Sequence, residues 1–106
     1  MTVLIAHCTC PDAEHAERIA HALVAEHLAA CVSTLPGITS TYRWEDTVQS
    51  QAEVLLLIKT TRERYDAMAA RLLDLHPYEL PELIAVDVCA GHAPYLDWVA
   101  AQTLVS

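Results

Sequence analysis

The sequence predicts an α+β fold of the ferredoxin-like type, a sandwich in which strands and helices follow the order βαββαβ. Two amphipathic helical segments separate the β-rich segments, and a further short helix follows the last strand. The long strand from Val48 to Thr60 is apolar on both faces through its middle. Because two helices cover only one face of such a sheet, we expect the other face to pack against other subunits.

The first half of the chain contains two strands and a helix. A short β-rich run extends from Thr2 to Cys8, and Pro11 and Asp12 then begin a helix. The second strand runs from about Ala30 to Tyr42, and the Pro36-Gly37 pair within it predicts a bulge or bend. Apolar residues at helical spacing form one face of the helix: Ala16, Ile19, Ala20, Leu23 and Val24.

The second half repeats this alternation. Trp44 to Thr47 forms a turn into the long third strand, and the sequence from Thr60 to Glu63 matches a capping box that begins the second helix. The fourth strand is expected from Leu83 to Ala90, and Pro94 opens the last helix. The second helix presents an apolar face made of Tyr65, Met68, Ala69, Leu72 and Leu73.

Composition limits the class of protein. Residues 1–106 suffice for a single domain, and 54% of them are hydrophobic. A net charge of −8 argues against binding to nucleic acid or to anionic membranes. No segment is long or apolar enough to span a bilayer, and Met1 to Cys8 does not resemble a secretory signal. We therefore expect a cytoplasmic protein with reduced cysteines.

The sequence lacks the common catalytic motifs. Gly37 and Gly91 are its only glycines, so it has no glycine-rich phosphate loop, and no serine lies in a nucleophile elbow. Cys31 and Cys89 lie among apolar residues, and we expect them to be buried structural thiols. These observations favour a protein that is not an enzyme.

The loop from His76 to Glu82 joins the second helix to the fourth strand. Its two prolines stiffen the backbone, which can hold polar side chains in fixed directions. Two interpretations remain open: a well-capped turn with solvated polar groups, or a binding loop. Lys59 either extends its ammonium group to solvent or pairs with a loop carboxylate in a polar cleft. Candidates for a cleft between subunits are Lys59, Tyr78, Glu79 and Glu82.

Two further features suggest binding or assembly. Cys8 ends the first predicted strand and Cys10 follows two residues later, a spacing that places both sulfurs on one side if the strand continues to Cys10. Such a pair either packs in a core or binds a soft metal such as monovalent copper or zinc. Trp44 at the hairpin tip either covers its own hairpin or docks into a neighbouring subunit, and we favour the interface.

Several motifs, in the same order along nearly the whole chain, resemble the CutA divalent-ion-tolerance family. The resemblance implies a ferredoxin-like domain assembled as a tight homotrimer, cytoplasmic in bacteria, similar in architecture to PII signalling proteins. It also implies a role in copper and divalent-cation tolerance. The matching motifs are Leu28 to Val32, Pro36 to Ile38, Tyr42 to Glu45, Ile58 to Thr60, His76 to Glu82 and Tyr95 to Trp98.

The resemblance also implies copper ligands. Cys8 and His76 match ligand positions, whereas Leu75 stands where a metal-binding relative has a second histidine. We therefore expect weak or transient copper binding, completed by Cys10 or by a residue of another subunit. Three hypotheses follow: a trimeric metal-binding protein, a PII-like sensor that binds a small ligand between subunits, or a structural interaction module.

Overall fold

The computed structural model describes residues 2–104, which form four strands and three helices. The strands lie in the order β2-β3-β1-β4, and every neighbouring pair is antiparallel. This arrangement confirms the predicted α+β fold with its βαββαβ order and added helix. The elements are β1 Val3–Cys10, α1 Ala13–Ala25, β2 Cys31–Trp44, β3 Thr47–Thr61, α2 Arg62–Leu75, β4 Leu83–Asp87 and α3 Ala93–Gln102.

Helix α1 begins where its sequence predicts. Asp12 is the N-cap, and its Oδ1 accepts a hydrogen bond of 2.9 Å from the backbone N–H of His15. Ala16, Ile19 and Leu23 are buried against the sheet, whereas Val24 at the edge of the predicted face is exposed. Within residues 2–104, no helix combines the length and the apolar character needed to cross a membrane.

Two element boundaries differ from the prediction. The capping box is wrong: Thr61 is the N-cap of α2, and within the described chain no side-chain bond caps this helix. The Thr60 hydroxyl instead donates a buried 2.7 Å hydrogen bond to the carbonyl of Leu28. Strand β4 ends at Asp87 because its partner β1 begins at Val3. Cys89 therefore lies beyond the strand and is exposed, so its predicted burial is also wrong.

The two faces of the sheet differ in what covers them. Helices α1 and α2 bury one face, whose core includes Cys8, Leu56 and Leu72. On the other face, α3 packs over one end through Val99, which clusters with Val3 and Ala30. The rest of that face carries polar side chains such as Lys59 and Ser33, together with large apolar side chains that are half-buried or exposed. We call the apolar part the open sheet face; it comprises Leu35, Leu55, Leu57, Ile84 and Val86.

Strands β2 and β3 form a hairpin that extends beyond β1. Their register shifts between Leu35 and Ile38, which confirms the irregularity predicted from Pro36-Gly37. Glu45 and Asp46 form a two-residue turn with positive φ angles of 49° and 63°, the geometry that matches strand twist. Trp44 lies beside this turn and is 38% exposed. The hairpin thus projects an aromatic side chain away from the core.

Candidate metal centre

Within residues 2–104 the structure brings together a cluster of metal-donor side chains: Cys8, Cys10 and His76. Their donor atoms all lie within 4.8 Å of one another, and all three side chains are buried. The cysteines lie two residues apart on β1, so both sulfurs project from the helix-covered face. We call this group the Cys8–Cys10–His76 cluster.

The local backbone explains how His76 reaches the cysteines. Helix α2 ends at Leu75 because His76, which precedes Pro77, adopts an extended conformation with φ −77° and ψ 136°. The following loop enters β4, which pairs with β1 so that Leu83 lies opposite Cys8. The antiparallel pairing of these strands therefore places His76 beside the end of β1, as sequence topology predicted for Cys8 and His76.

Distances within the cluster suit a shared ion. The Sγ of Cys10 lies 3.9 Å from Nε2 of His76. Metal–sulfur and metal–nitrogen bonds of about 2.3 Å and about 2.0 Å, as for zinc, allow one ion to bond both atoms across that distance. Leu75, which stands where a metal-binding relative has a second histidine, packs against the hydrophobic core. The donor set is therefore two thiols and one imidazole.

The two thiols affect each other's ionisation. The Cys10 side chain, together with burial, raises the pKa of Cys8, and the nearby carboxylates of Glu82 and Glu53 act in the same direction. Conversely, the hydrogen-bonding interaction with Cys8 lowers the pKa of Cys10. Because the thiolate is the form that binds metals, binding of an ion at this cluster must release protons from the thiols.

Hydrogen bonds orient the imidazole of His76. Its Nε2–H donates to the carbonyl of Thr9 at 2.8 Å, and its Nδ1 accepts from the backbone N–H of Tyr78 at 3.1 Å. A carbonyl oxygen only accepts and an amide N–H only donates, so the neutral ring carries its proton on Nε2. Both ring nitrogens of His76 thus form hydrogen bonds to the backbone, one to strand β1 and one to the loop that follows α2.

A cavity of about 800 Å³ lies next to the cluster, between the hairpin and the loop that follows α2. The hydroxyl of Tyr78 donates a 2.7 Å hydrogen bond to Glu53, whose side chain on β3 is only 7% exposed. Burial and this carboxylate raise the pKa of Tyr78. Residues that line the cavity include Thr9, Tyr42, Trp44, Glu53, Tyr78, Glu79 and Glu82.

The structure brings Tyr78, Glu79 and Glu82 to this cavity but places Lys59 elsewhere. Lys59 lies on the sheet face opposite the cluster, where its Nζ donates to Ser33 Oγ at 2.5 Å and contacts Cys31 Sγ at 3.9 Å. Cys31 is half-buried beside this ammonium group, so its predicted full burial is wrong for a single subunit. Glu53 was not among the predicted site residues.

The sheet topology and the buried thiol–imidazole cluster define the class: a small α+β protein with a donor set that suits a soft metal ion. The family model described as CutA1 divalent ion tolerance protein matches residues 4–102. The chain belongs to this family, which confirms the resemblance noted in the sequence.

Individual relatives agree with this assignment. The chain is 46% identical over 95 residues to the "Divalent-cation tolerance protein CutA" of Thermus thermophilus, covering 90% of this chain and 92% of that protein. It is 42% identical over 102 residues to human "Protein CutA", covering 96% of this chain and 57% of the human protein. Much of the longer human protein thus lies outside the region of similarity.

Solved structures share the fold. The crystal structure of CutA from Xylella fastidiosa is 48% identical with a TM-score of 0.93, over 95% of this chain and 97% of that chain. A "PII-like protein CutA" from a Nostoc species is 40% identical with a TM-score of 0.89, over the whole of both chains. The predicted similarity to PII-like architecture is confirmed at the level of the fold.

Proposed function

We propose that the protein contributes to copper and divalent-cation tolerance by binding a metal ion at the Cys8–Cys10–His76 cluster, and that it acts as a binding protein and not as an enzyme. The observation that carries this proposal is the convergence of three buried donor atoms within 4.8 Å. Membership of a family named for divalent ion tolerance supports it. We place this activity in the cytoplasm, where the thiols stay reduced.

The donor set favours monovalent copper. Thiolates and imidazole are soft or borderline ligands that select copper(I) and zinc over hard cations. Closed structural zinc sites use four protein ligands, whereas this cluster of described residues supplies three. Because the cluster is small and lacks a second histidine at Leu75, we propose a weak or transient site that can take up and release the ion.

Removing either predicted ligand should weaken copper(I) binding. We expect Cys8→Ala and His76→Ala each to lower affinity by about tenfold or more, since even residues that only support metal ligands contribute on that scale. Competition against a chromophoric copper(I) chelator, under reducing anaerobic conditions, measures the affinity. Cys89→Ala removes an exposed thiol outside the cluster and should bind copper(I) like the wild type. Equal affinities for all four proteins would refute the site.

A small-ligand sensor is the second candidate function. The open cavity favours it, because aromatic side chains and carboxylates line a space large enough for a small molecule. This function predicts binding of a small molecule whose affinity, measured without copper, is unchanged in Cys8→Ala. Since Lys59 lies away from the cavity in one subunit, its participation requires a neighbouring subunit.

We further propose that the protein assembles as a homotrimer. The support is the open sheet face, where large apolar side chains such as Ile84 and Val86 are exposed in the single chain. Packing of the open sheet faces of three subunits against one another would bury this surface, and extended pairing between edge strands of different subunits would join the chains. The projecting hairpin carries Trp44, and we propose that this side chain docks into a neighbouring subunit.

A further inference from the structure

His76 holds its loop through both ring nitrogens. Nε2–H donates to the Thr9 carbonyl at 2.8 Å, and the Nδ1 lone pair accepts the Tyr78 amide at 3.1 Å. A metal ion binds imidazole through a nitrogen lone pair. The neutral imidazole of His76 has one in-plane lone pair, on Nδ1. Without metal, this lone pair already accepts the hydrogen bond from the Tyr78 amide.

Either way of binding a metal ion through neutral His76 removes the bond to the Tyr78 amide. If the ion binds Nε2, the ring proton must reside on Nδ1, which then presents N–H to the N–H of Tyr78. If the ion binds Nδ1, the ion takes the lone pair that accepted the amide hydrogen. The geometry favours Nε2, because this nitrogen lies 3.9 Å from Cys10 Sγ.

Tyr78 connects His76 to the wall of the cavity. Its ring centroid lies 4.9 Å from that of His76, and its hydroxyl donates to the buried carboxylate of Glu53 on β3. Both Tyr78 and Glu53 line the cavity between the hairpin and the loop. A displaced Tyr78 backbone must therefore strain or move the contact between the loop and the hairpin.

We propose that metal binding through His76 releases the Tyr78 amide and shifts the His76–Glu82 loop against the β2–β3 hairpin, so that the metal site controls the shape of the adjacent cavity. This inference rests on the proposed function, because it takes the Cys8–Cys10–His76 cluster as the metal site. Linkage makes the effect reciprocal: a ligand that moves Tyr78 changes metal affinity by the same factor as the metal changes ligand affinity.

Nitrogen-15 NMR of the intact protein, with and without copper(I), tests this coupling. Without metal, two-bond proton–nitrogen spectra should place the His76 proton on Nε2. With copper(I), the proton should move to Nδ1, and the Tyr78 amide should exchange with solvent on the order of fivefold faster after losing its hydrogen bond. His27, which is exposed beyond the C-terminal end of α1 and bonded through Nδ1 to the carbonyl of Gln102, provides an internal control whose ring spectrum should not change.

A second variant tests whether the Tyr78 hydroxyl transmits the effect of metal binding to the β2–β3 hairpin. Tyr78→Phe keeps the amide but lacks the hydroxyl bonded to Glu53. Copper(I) should shift the backbone resonances of Gln51 and Glu53 further in the wild type than in Tyr78→Phe, because Val54, the strand partner of Cys10, passes the direct effect of the ion to this strand in both proteins. Equal shifts in both proteins would overturn the route through the Tyr78 hydroxyl.

The outcomes separate this inference from the proposed function. Copper(I) binding that depends on His76, but leaves its ring proton and the Tyr78 amide unchanged, overturns the inference alone. Copper(I) binding that is absent, or is unaffected by His76→Ala, overturns both. Movement of the ring proton to Nδ1 together with faster exchange of the Tyr78 amide supports both.

Discussion

An Ile84→Glu variant should be monomeric under conditions in which the wild type is a trimer. Ile84 lies on the open sheet face and is 58% exposed in a single subunit. If this face is buried between subunits, the substitution places an unpaired carboxylate in each buried contact, which costs several kcal/mol per charge. Light scattering at micromolar concentration should give about three chains for the wild type and about one for the variant.

Leu73→Glu is the matched control for this experiment. Leu73 is a large apolar residue of similar exposure, 50%, but it lies on α2 at the opposite side of the sheet. The same change of chemistry there should leave the trimer intact. A wild-type monomer, or a trimer that survives Ile84→Glu, would contradict the proposed burial of the open sheet face.

Replacing Leu72 with Ala should destabilise the fold by about 2–5 kcal/mol. Leu72 is fully buried between α2 and the sheet, so its truncation leaves a cavity in the core. Equilibrium unfolding in urea measures the loss, with all proteins at one concentration because assembly adds to apparent stability.

Leu73→Ala makes the identical substitution at the next residue of the same helix. Since half of the Leu73 side chain is already exposed, we expect a change of about 0.5 kcal/mol. Similar losses for Leu72→Ala and Leu73→Ala would show that the described core does not control stability.

Local sequence patterns predicted most of the fold. The predictions failed where contacts with residues distant in the chain determine the structure. Helical periodicity identified α1 and α2, and Pro36-Gly37 identified the bulge. The capping box failed because Thr60 bonds to the carbonyl of Leu28, which is 32 residues away in the chain. The length of β4 depends on where β1 begins, and the apolar pattern that continues to Ala90 carries no information about that boundary.

The candidate site was predictable where topology alone determines it. Pairing of β1 with β4 implies that Cys8 lies near His76. The bond between Tyr78 and Glu53 was not predictable, because Glu53 appears in sequence as an ordinary polar residue of a long strand. Lys59 was grouped with the loop carboxylates, but it lies on the sheet face opposite the cluster, beside Ser33.

X-ray absorption at the copper edge tests the central claim most directly. For copper(I) bound to the wild-type protein, we predict a first shell of two sulfurs and one nitrogen, supplied by Cys8, Cys10 and His76. The Cys10→Ala protein should lose one sulfur from this shell, whereas Cys89→Ala should give the wild-type spectrum. A shell made only of oxygen and nitrogen, or one that Cys10→Ala leaves unchanged, would contradict a copper site in the buried cluster.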